Sequence, residues 1–308
     1  MWQDLLTAAV FYMPFVVTIG FALFVFLIGI VCLLSGTFAI LALATYGIYS
    51  ILRDSGFLKQ IGEKMNLGWN YVNETILKNI QESFVLADTE NVPQSKALYI
   101  CSPHGMVGYS WFFHLSYCLS EWPTKSPRPL LAVHSILFRI PFAREILAAN
   151  RCIEASDQEI SKALEAGNSV AIIIGGVEEM THSGQDIVKL ILKKRKGYIR
   201  LAKQANVPIV PLYAAGENEL FAMENSWIWR RFSLLMYQWT GYQFPLPSWQ
   251  SIKQFAGILK KPLDTPVKTF VLGPIETQNK EEHTIRNECI SRIEGFLKNH
   301  KIHAEIVA

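Results

Sequence analysis

The chain has 308 residues, 50% of them hydrophobic and 18% charged, with a net charge of +3. So mild a balance says little about partners, and no nucleic acid is expected. The five cysteines, Cys32, Cys101, Cys118, Cys152 and Cys289, include no CxxC pair, which argues against a disulfide framework or a zinc site and for reduced thiols in a cytosolic environment.

Residues 1–52 are read first as a membrane hairpin. Leu5–Leu52 holds no charged residue and is dominated by Val, Ile, Leu, Phe and Ala. One spanning helix takes about 20 residues, so the run has length for two, with Ser35-Gly36-Thr37 as the turn between them. The arms are Leu5–Leu34 and Phe38–Leu52. The second arm is short for a span, which leaves open a re-entrant wedge or one long tilted helix. A cleaved signal peptide is disfavoured by Asp4, by the lack of a basic start and by the length of the run.

Residues 53–96 form a connecting segment. Trp69, Val72, Ile76, Ile80 and Phe84 recur at helical spacing, which predicts an amphipathic helix on the bilayer surface or against the main domain. Asn73-Glu74-Thr75 is a glycosylation sequon that a cytosolic position would leave unused.

Residues 97–308 form the third region, where short apolar runs alternate with helical patterns. The predicted strands are Ala97–Cys101, Leu130–Val133, Ser169–Ile174, Pro208–Tyr213 and Lys268–Leu272. Helices are predicted at Val107–Leu119, Asp157–Ala166, Gly197–Gln204 and Glu281–Asn299; Ser156 and Glu159 make a capping box for the second. Strands alternating with helices specify an α/β fold with a mixed, largely parallel sheet flanked by helices. The aromatic-rich stretch Trp227–Trp249 suits a membrane-facing or acyl-lining surface, or a satellite hydrophobic cluster.

No GxSxG elbow, Walker loop, GxGxxG or HExxH occurs, and the seven histidines are scattered, so no metal and no cofactor is expected. Three features remain. In Ser102-Pro103-His104-Gly105, Pro103 fixes its own φ and Gly105 permits a sharp turn, which would present the His104 imidazole at a strand end. In Ala171–Met180 an apolar strand ends in Gly175-Gly176, followed by Glu178-Glu179. Those glycine N–H groups suit an oxyanion, and a carboxylate beyond them could orient a histidine. The third is the basic stretch Lys189–Lys203, with Lys189, Lys193, Lys194, Arg195, Lys196, Arg200 and Lys203. It suits anionic headgroups, the phosphates of coenzyme A, or simply solvent. Cys101, just before the histidine turn, leaves open a covalent route that its strand-end position disfavours.

The ordered blocks SPHG, LFRIPFAREIL, IIIGGVEEM, KKRKGYIRLA and VPLYAAGENELF resemble the type 2 diacylglycerol acyltransferase family, which includes monoacylglycerol and wax-alcohol acyltransferases. The similarity runs from about Ala97 to Phe221 and returns weakly at Val271–Ile275. It implies transfer of a fatty acyl group from acyl-CoA, as co-substrate, to the hydroxyl of a neutral lipid. The acceptor implied is diacylglycerol first, then monoacylglycerol or a long-chain alcohol. It also implies an endoplasmic reticulum membrane or lipid droplets, a catalytic domain facing the cytosol, and room for a homo-oligomer. Residue by residue, the family's HPHG block falls on Ser102-Pro103-His104-Gly105, which makes His104 the catalytic base. The glycine-glycine block with its downstream glutamate falls on Gly175, Gly176 and Glu179, the last as the group that orients His104. Arg144 lies in the LFRIPFAREIL block, Arg195-Lys196-Gly197 match the family's arginine-lysine-glycine block, and Glu217-Asn218-Glu219 lie in its GENE block. With Pro103 and Gly105 these are the implied substrate-binding residues.

Two departures matter. Ser102 stands where the family has a histidine, which is the one support for a non-catalytic lipid-binding protein on the same fold. Position 109 is Tyr, so the His–Asp pair of the NHxxxxD box is absent. That disfavours a glycerol-phosphate or lysophospholipid acceptor.

Overall fold

The computed structural model describes residues 37–54, 81–116, 122–139, 143–180, 182, 187–222, 226–240, 246, 248–249, 251 and 266–307. The first hairpin arm, most of the amphipathic connecting segment and the sequon lie outside the described residues. In chain order the elements are α1 (Thr37–Asp54), β1 (Phe84–Ala87), β2 (Leu98–Ser102), α2 (Tyr109–Trp111), β3 (Leu130–Val133), α3 (Ala143–Ala149) and β4 (Cys152–Glu154). There follow α4 (Asp157–Glu165), β5 (Val170–Ile173), α5 (Gly176–Met180), β6 (Val188–Leu190), α6 (Gly197–Ala205) and β7 (Ile209–Ala215). The chain closes with α7 (Glu217–Leu220), α8 (Trp227–Thr240), β8 (Val267–Val271), α9 (Glu282–Asn299) and β9 (Ala304–Ile306). A π-helical turn, Phe112–Ser116, continues α2.

The fold divides into two compact units, Met1–Leu77 with His134–Arg151, and Lys78–Val133 with Cys152–Ala308. In the first unit α1 matches the predicted second arm and extends to Asp54. Tyr49 donates to the Glu145 carboxylate of α3 at 3.2 Å. Among the described residues, no helix is long and apolar enough to cross a membrane.

The second unit is built on a seven-stranded sheet in the order β1-β8-β7-β2-β5-β3-β4. All neighbours are parallel except β7 and β8, so the mixed, largely parallel sheet is as the sequence predicts. β2 lies at the centre, paired with β7 on one side and β5 on the other. Its sequence LYICS is buried throughout, as expected of a strand covered on both faces. On one face Leu98, Ile100, Val170, Ile209, Tyr213 and Phe270 pack in a single core with Leu164 of α4, Ile199 and Ala202 of α6, and Ile285, Ile293 and Phe296 of α9. Fully burying a side chain of this kind stabilises by about 1.5–3 kcal/mol, so this layer anchors the three central strands. The predicted cap holds: Ser156 accepts from the Glu159 N–H at 3.3 Å. Asn206 ends α6 in the left-handed conformation, with φ 53°. Within the predicted helix Val107–Leu119 the described residues form a single α-turn followed by the π-turn, and residues 117–119 lie outside the described residues.

Candidate active site

The carboxyl ends of β5, β2 and β7, adjacent in the sheet, each lead into one of the predicted blocks. β2 runs into Pro103-His104-Gly105, β5 into Gly175-Gly176, and β7 into Gly216-Glu217. Three adjacent strand ends in a parallel arrangement leave a crevice where the connections diverge. That topology gathers residues 75 and 108 positions apart in the chain, as their hydrogen bonds register.

The turn at His104 is held from several directions. Trp111 Nε1 donates to the Pro103 carbonyl at 3.0 Å. Gly105 has φ 60°, a conformation that side-chain-bearing residues avoid. A Cβ there would also stand 2.6 Å from Oε1 of Glu217. The half-buried His104 ring places Nδ1 3.0 Å from the Gly105 carbonyl oxygen. A carbonyl only accepts, so Nδ1 carries the proton and Nε2 is the ring's acceptor. Burial lowers the pKa of His104, against the raising effect of its backbone hydrogen bonds, and this favours the neutral imidazole.

Two buried carboxylates flank the turn. Glu179 Oε2 accepts from the His104 main-chain N–H at 2.7 Å, and its Oε1 accepts from the Ile191 N–H at 2.7 Å. The sequence expectation put this carboxylate on the imidazole. In the structure it meets the main chain of the same residue, and the Gly105 carbonyl meets the ring. Glu179 therefore ties the histidine turn to the segment after β6. Gly175 is required beside it, since a Cβ would overlap the Glu179 carboxyl carbon at 1.8 Å. Glu217 performs the matching task on the other side. Oε1 accepts from the Tyr109 N–H and Oε2 from the Ser110 N–H, both at 2.9 Å, and Oε2 also accepts from the Ser110 hydroxyl. A carboxylate on the free N–H groups opening a helix suits both their hydrogen bonding and the local dipole. Burial pushes each carboxyl up to about 7, outweighing these hydrogen bonds.

The basic block touches this framework. Lys194 donates to Glu178 at 2.9 Å, and Arg195 Nη2 donates to the Gly175 carbonyl at 3.3 Å while lying 4.0 Å from Glu178. Lys193, Lys194, Arg195 and Lys196 are exposed, immediately before the first turn of α6. A Cβ on Gly197 would meet nothing within 4 Å, so the fold leaves open space at that helix start. Such a start with exposed cations in front of it suits a phosphate.

The remaining sequence candidates are distributed as follows. Asn218 is buried and Glu219 exposed on α7, with the Glu219 N–H donating to Gly216 at 3.1 Å. Arg144 is exposed on α3, in the first unit, whereas every residue gathered above belongs to the second. Ser102 is fully buried, and its hydroxyl has no hydrogen-bond partner among the described residues. Cys101 is fully buried and its thiol is pushed well up by that burial, so it offers little thiolate for a covalent route. Sequence reasoning missed Ser110 and Ile191, because main-chain N–H groups, which any residue carries, do much of the holding, with the Ser110 hydroxyl adding to it. It also missed the ties of Glu178, although that residue adjoins Glu179.

The family model described as diacylglycerol acyltransferase matches residues 34–301 of the chain. Human acyl-CoA wax alcohol acyltransferase 2 is 32% identical over 134 residues, 42% of this chain and 40% of that protein. Diacylglycerol O-acyltransferase 2 of Danio rerio is 28% identical over 232 residues, 68% of this chain and 61% of that protein. The chain thus spans between 40% and 61% of the length of these relatives. A solved structure, the 1-acyl-sn-glycerophosphate acyltransferase of Thermotoga maritima, is similar with a TM-score of 0.46 at 13% identity, covering 83% of this chain and 89% of that one.

Proposed function

Since this chain belongs to the diacylglycerol acyltransferase family, we propose that it transfers a fatty acyl group from acyl-CoA to the hydroxyl of a neutral lipid, with diacylglycerol as acceptor and triacylglycerol as product. The observation that carries this reading is the His104 ring, whose Nδ1 is fixed on the Gly105 carbonyl and whose acceptor Nε2 is thereby left for a substrate hydroxyl.

In this mechanism Nε2 of His104 takes the proton from the acceptor hydroxyl as its oxygen attacks the thioester carbon. The carbon–sulfur bond then breaks, and the imidazolium returns the proton to the departing thiolate. A lipid hydroxyl is a poor nucleophile at neutral pH, and a positioned base contributes roughly 10²–10⁴-fold. A thiol pKa of about 8.5 makes the thiolate a willing leaving group, so one neutral histidine serves both steps. Glu179 and Glu217 fix the turn through main-chain N–H groups, which preserves the geometry on which the rate depends. The N–H groups of Gly105, Gly175 and Gly176 are the candidates for the oxyanion. Lys194, Arg195, Lys196 and Gly197 would take the phosphates of acyl-CoA. The hydrophobic run Leu5–Leu52 would hold the enzyme in the endoplasmic reticulum membrane or on lipid droplets, with the second unit in the cytosol, where the buried free thiols Cys101, Cys152 and Cys289 stay reduced.

The test is incubation of membranes containing the full chain with labelled acyl-CoA and separate acceptors: diacylglycerol, monoacylglycerol, a long-chain alcohol, a lysophospholipid and glycerol phosphate. Labelled triacylglycerol is the expected product, and it disappears in His104→Ala at matched protein level. Neutral lipid from no acceptor, or full activity in His104→Ala, would overturn the proposal.

A further inference from the structure

Helix α8 is turned inside out relative to a helix that faces water. Ser233 is fully buried, whereas Trp239 is 87% exposed, Trp227 72%, Ile228 64% and Leu235 54%. Ile228, Leu235 and Trp239 are spaced seven and four apart, which places them on one side of the helix. Phe232 lies on the same side and is partly exposed. Trp227 and the exposed Arg231, four apart, border this stripe. None of these aromatic or aliphatic positions enters the site described above.

We infer that α8 is a docking surface for a lipid bilayer, lying in the interface with the Ile228–Leu235–Trp239 stripe in the acyl region and Arg231 at headgroup level. Three properties select lipid over protein. Trp227, Trp239 and Tyr237 have the amphipathic rings that settle at membrane–water interfaces, and Tyr237 is itself 47% exposed. The sequence WIWRRFSLLMYQWT contains Arg230 and Arg231 and no acidic residue, which matches anionic headgroups. A second copy of α8 on the same stripe would bring arginines together without a carboxylate on either helix to meet them. A helix of this length is too short to span and long enough to lie flat. The consequence for function is that the second unit meets the bilayer through its own surface, whatever residues 1–52 do. The inference adds to the neutral-lipid reading, because an acceptor dissolved in the bilayer must reach the strand ends from it.

The test uses the full chain with Trp239→Cys, labelled with an environment-sensitive fluorophore and reconstituted in phosphatidylcholine vesicles with and without phosphatidylserine. Lys203→Cys, exposed on α6, is labelled as the reference position, and the unsubstituted chain supplies the background. Expected are a blue-shifted emission at position 239 and several-fold stronger quenching by brominated phosphatidylcholine than at position 203. Emission at 239 equal to that at 203 would overturn the proposal. So would a blue shift without bromolipid quenching, because that means a protein surface covers the helix. As a second arm, the combined Ile228→Ser, Leu235→Ser and Trp239→Ser variant changes only exposed positions. The KM for vesicle-borne acceptor should rise several-fold with the KM for acyl-CoA unchanged. If the chain transfers no acyl group to any acceptor, the neutral-lipid reading fails and the quenching arm still decides the docking surface.

Discussion

Gly105 and Glu217 are fitted to each other so closely that a Cβ on the glycine would stand 2.6 Å from the carboxylate Oε1 and 2.9 Å from Cγ. The carboxylate has no freedom to retreat, because Tyr109 and Ser110 hold both of its oxygens. Two blocks far apart in the chain thus meet as one object, a glycine turn seated on a buried acid.

This contact predicts the behaviour of Gly105→Ala. The alanine must adopt φ 60° and displace Glu217, so stability should fall by about 1–3 kcal/mol and acyl transfer should be lost. Thermal unfolding of Gly105→Ala, Glu217→Ala and the double variant forms a cycle that checks the cause. Coupling of about 0.5–3 kcal/mol is expected, and strict additivity would mean that the two residues do not share the contact.

The two buried acids predict a pH dependence of stability. Both carboxyls are pushed up to about 7 in the folded chain, above the ordinary glutamate value of about 4.3. Between these values the unfolded chain has released protons that the folded chain retains. Their contribution to stability is therefore fully present below this window, declines as pH rises through it and levels off above about 7. His104 and His114 contribute in the opposite sense, since burial lowers their pKa values and so adds stability as pH rises toward about 6.5. Urea unfolding midpoints measured across the window for the parent chain and for variants of the two acids isolate the carboxyl slope. Glu179→Gln and Glu217→Gln should each reduce the slope, while costing about 1–3 kcal/mol overall because an amide leaves one main-chain N–H without an acceptor.

Catalysis should respond to pH through the histidine in the opposite sense. The folded His104 has its pKa lowered by burial, so the neutral, base-competent ring persists to more acidic pH than that of a free histidine. The acid limb of kcat/KM for acyl transfer should lie below the usual imidazole value of about 6.5. A limb above that value would mean that the ring is not the titrating base, because kcat/KM reports the groups of the free enzyme.

Glu178 predicts an effect on substrate affinity without an effect on chemistry. It occupies Lys194 at 2.9 Å and approaches Arg195 at 4.0 Å, the cations proposed to receive phosphates. Exposed pairs of this kind are worth about 0.2–1 kcal/mol, so Glu178→Gln should lower the KM for acyl-CoA by up to about fivefold with kcat unchanged. The gain should shrink as salt is added. A raised KM would show that the pair helps to shape the phosphate site.

The predicted strands at Leu130–Val133, Ser169–Ile174 and Pro208–Tyr213 lie within a residue or two of β3, β5 and β7. Each is a short apolar run bounded by polar or turn residues, and that pattern is local. Strand β1 begins at Phe84, a position whose helical spacing from Trp69 predicted a helix, and pairing with β8 makes it a strand instead. Strands β4, β6 and β9 have three residues each, so pairing rather than composition makes them strands. Helix α2 is predicted as one long element because Val107–Leu119 is mostly apolar. Its start is instead fixed by Glu217, a partner 107 and 108 positions away.

For the site, the sequence by itself determined which residues are the candidates: His104 between Pro103 and Gly105, the Gly175-Gly176 strand end, Glu179, Glu217 and the basic run. Turn chemistry, charge and the order of blocks are properties of neighbours along the chain, so they are written there. Only the tertiary structure decided what each residue does. Glu179 holds the main chain of His104, Gly105 holds its ring, Glu217 opens a helix, and the stripe on α8 faces outward. Those roles depend on which strand ends stand side by side and which face of a helix is covered, and long-range packing of the sheet is what sets both.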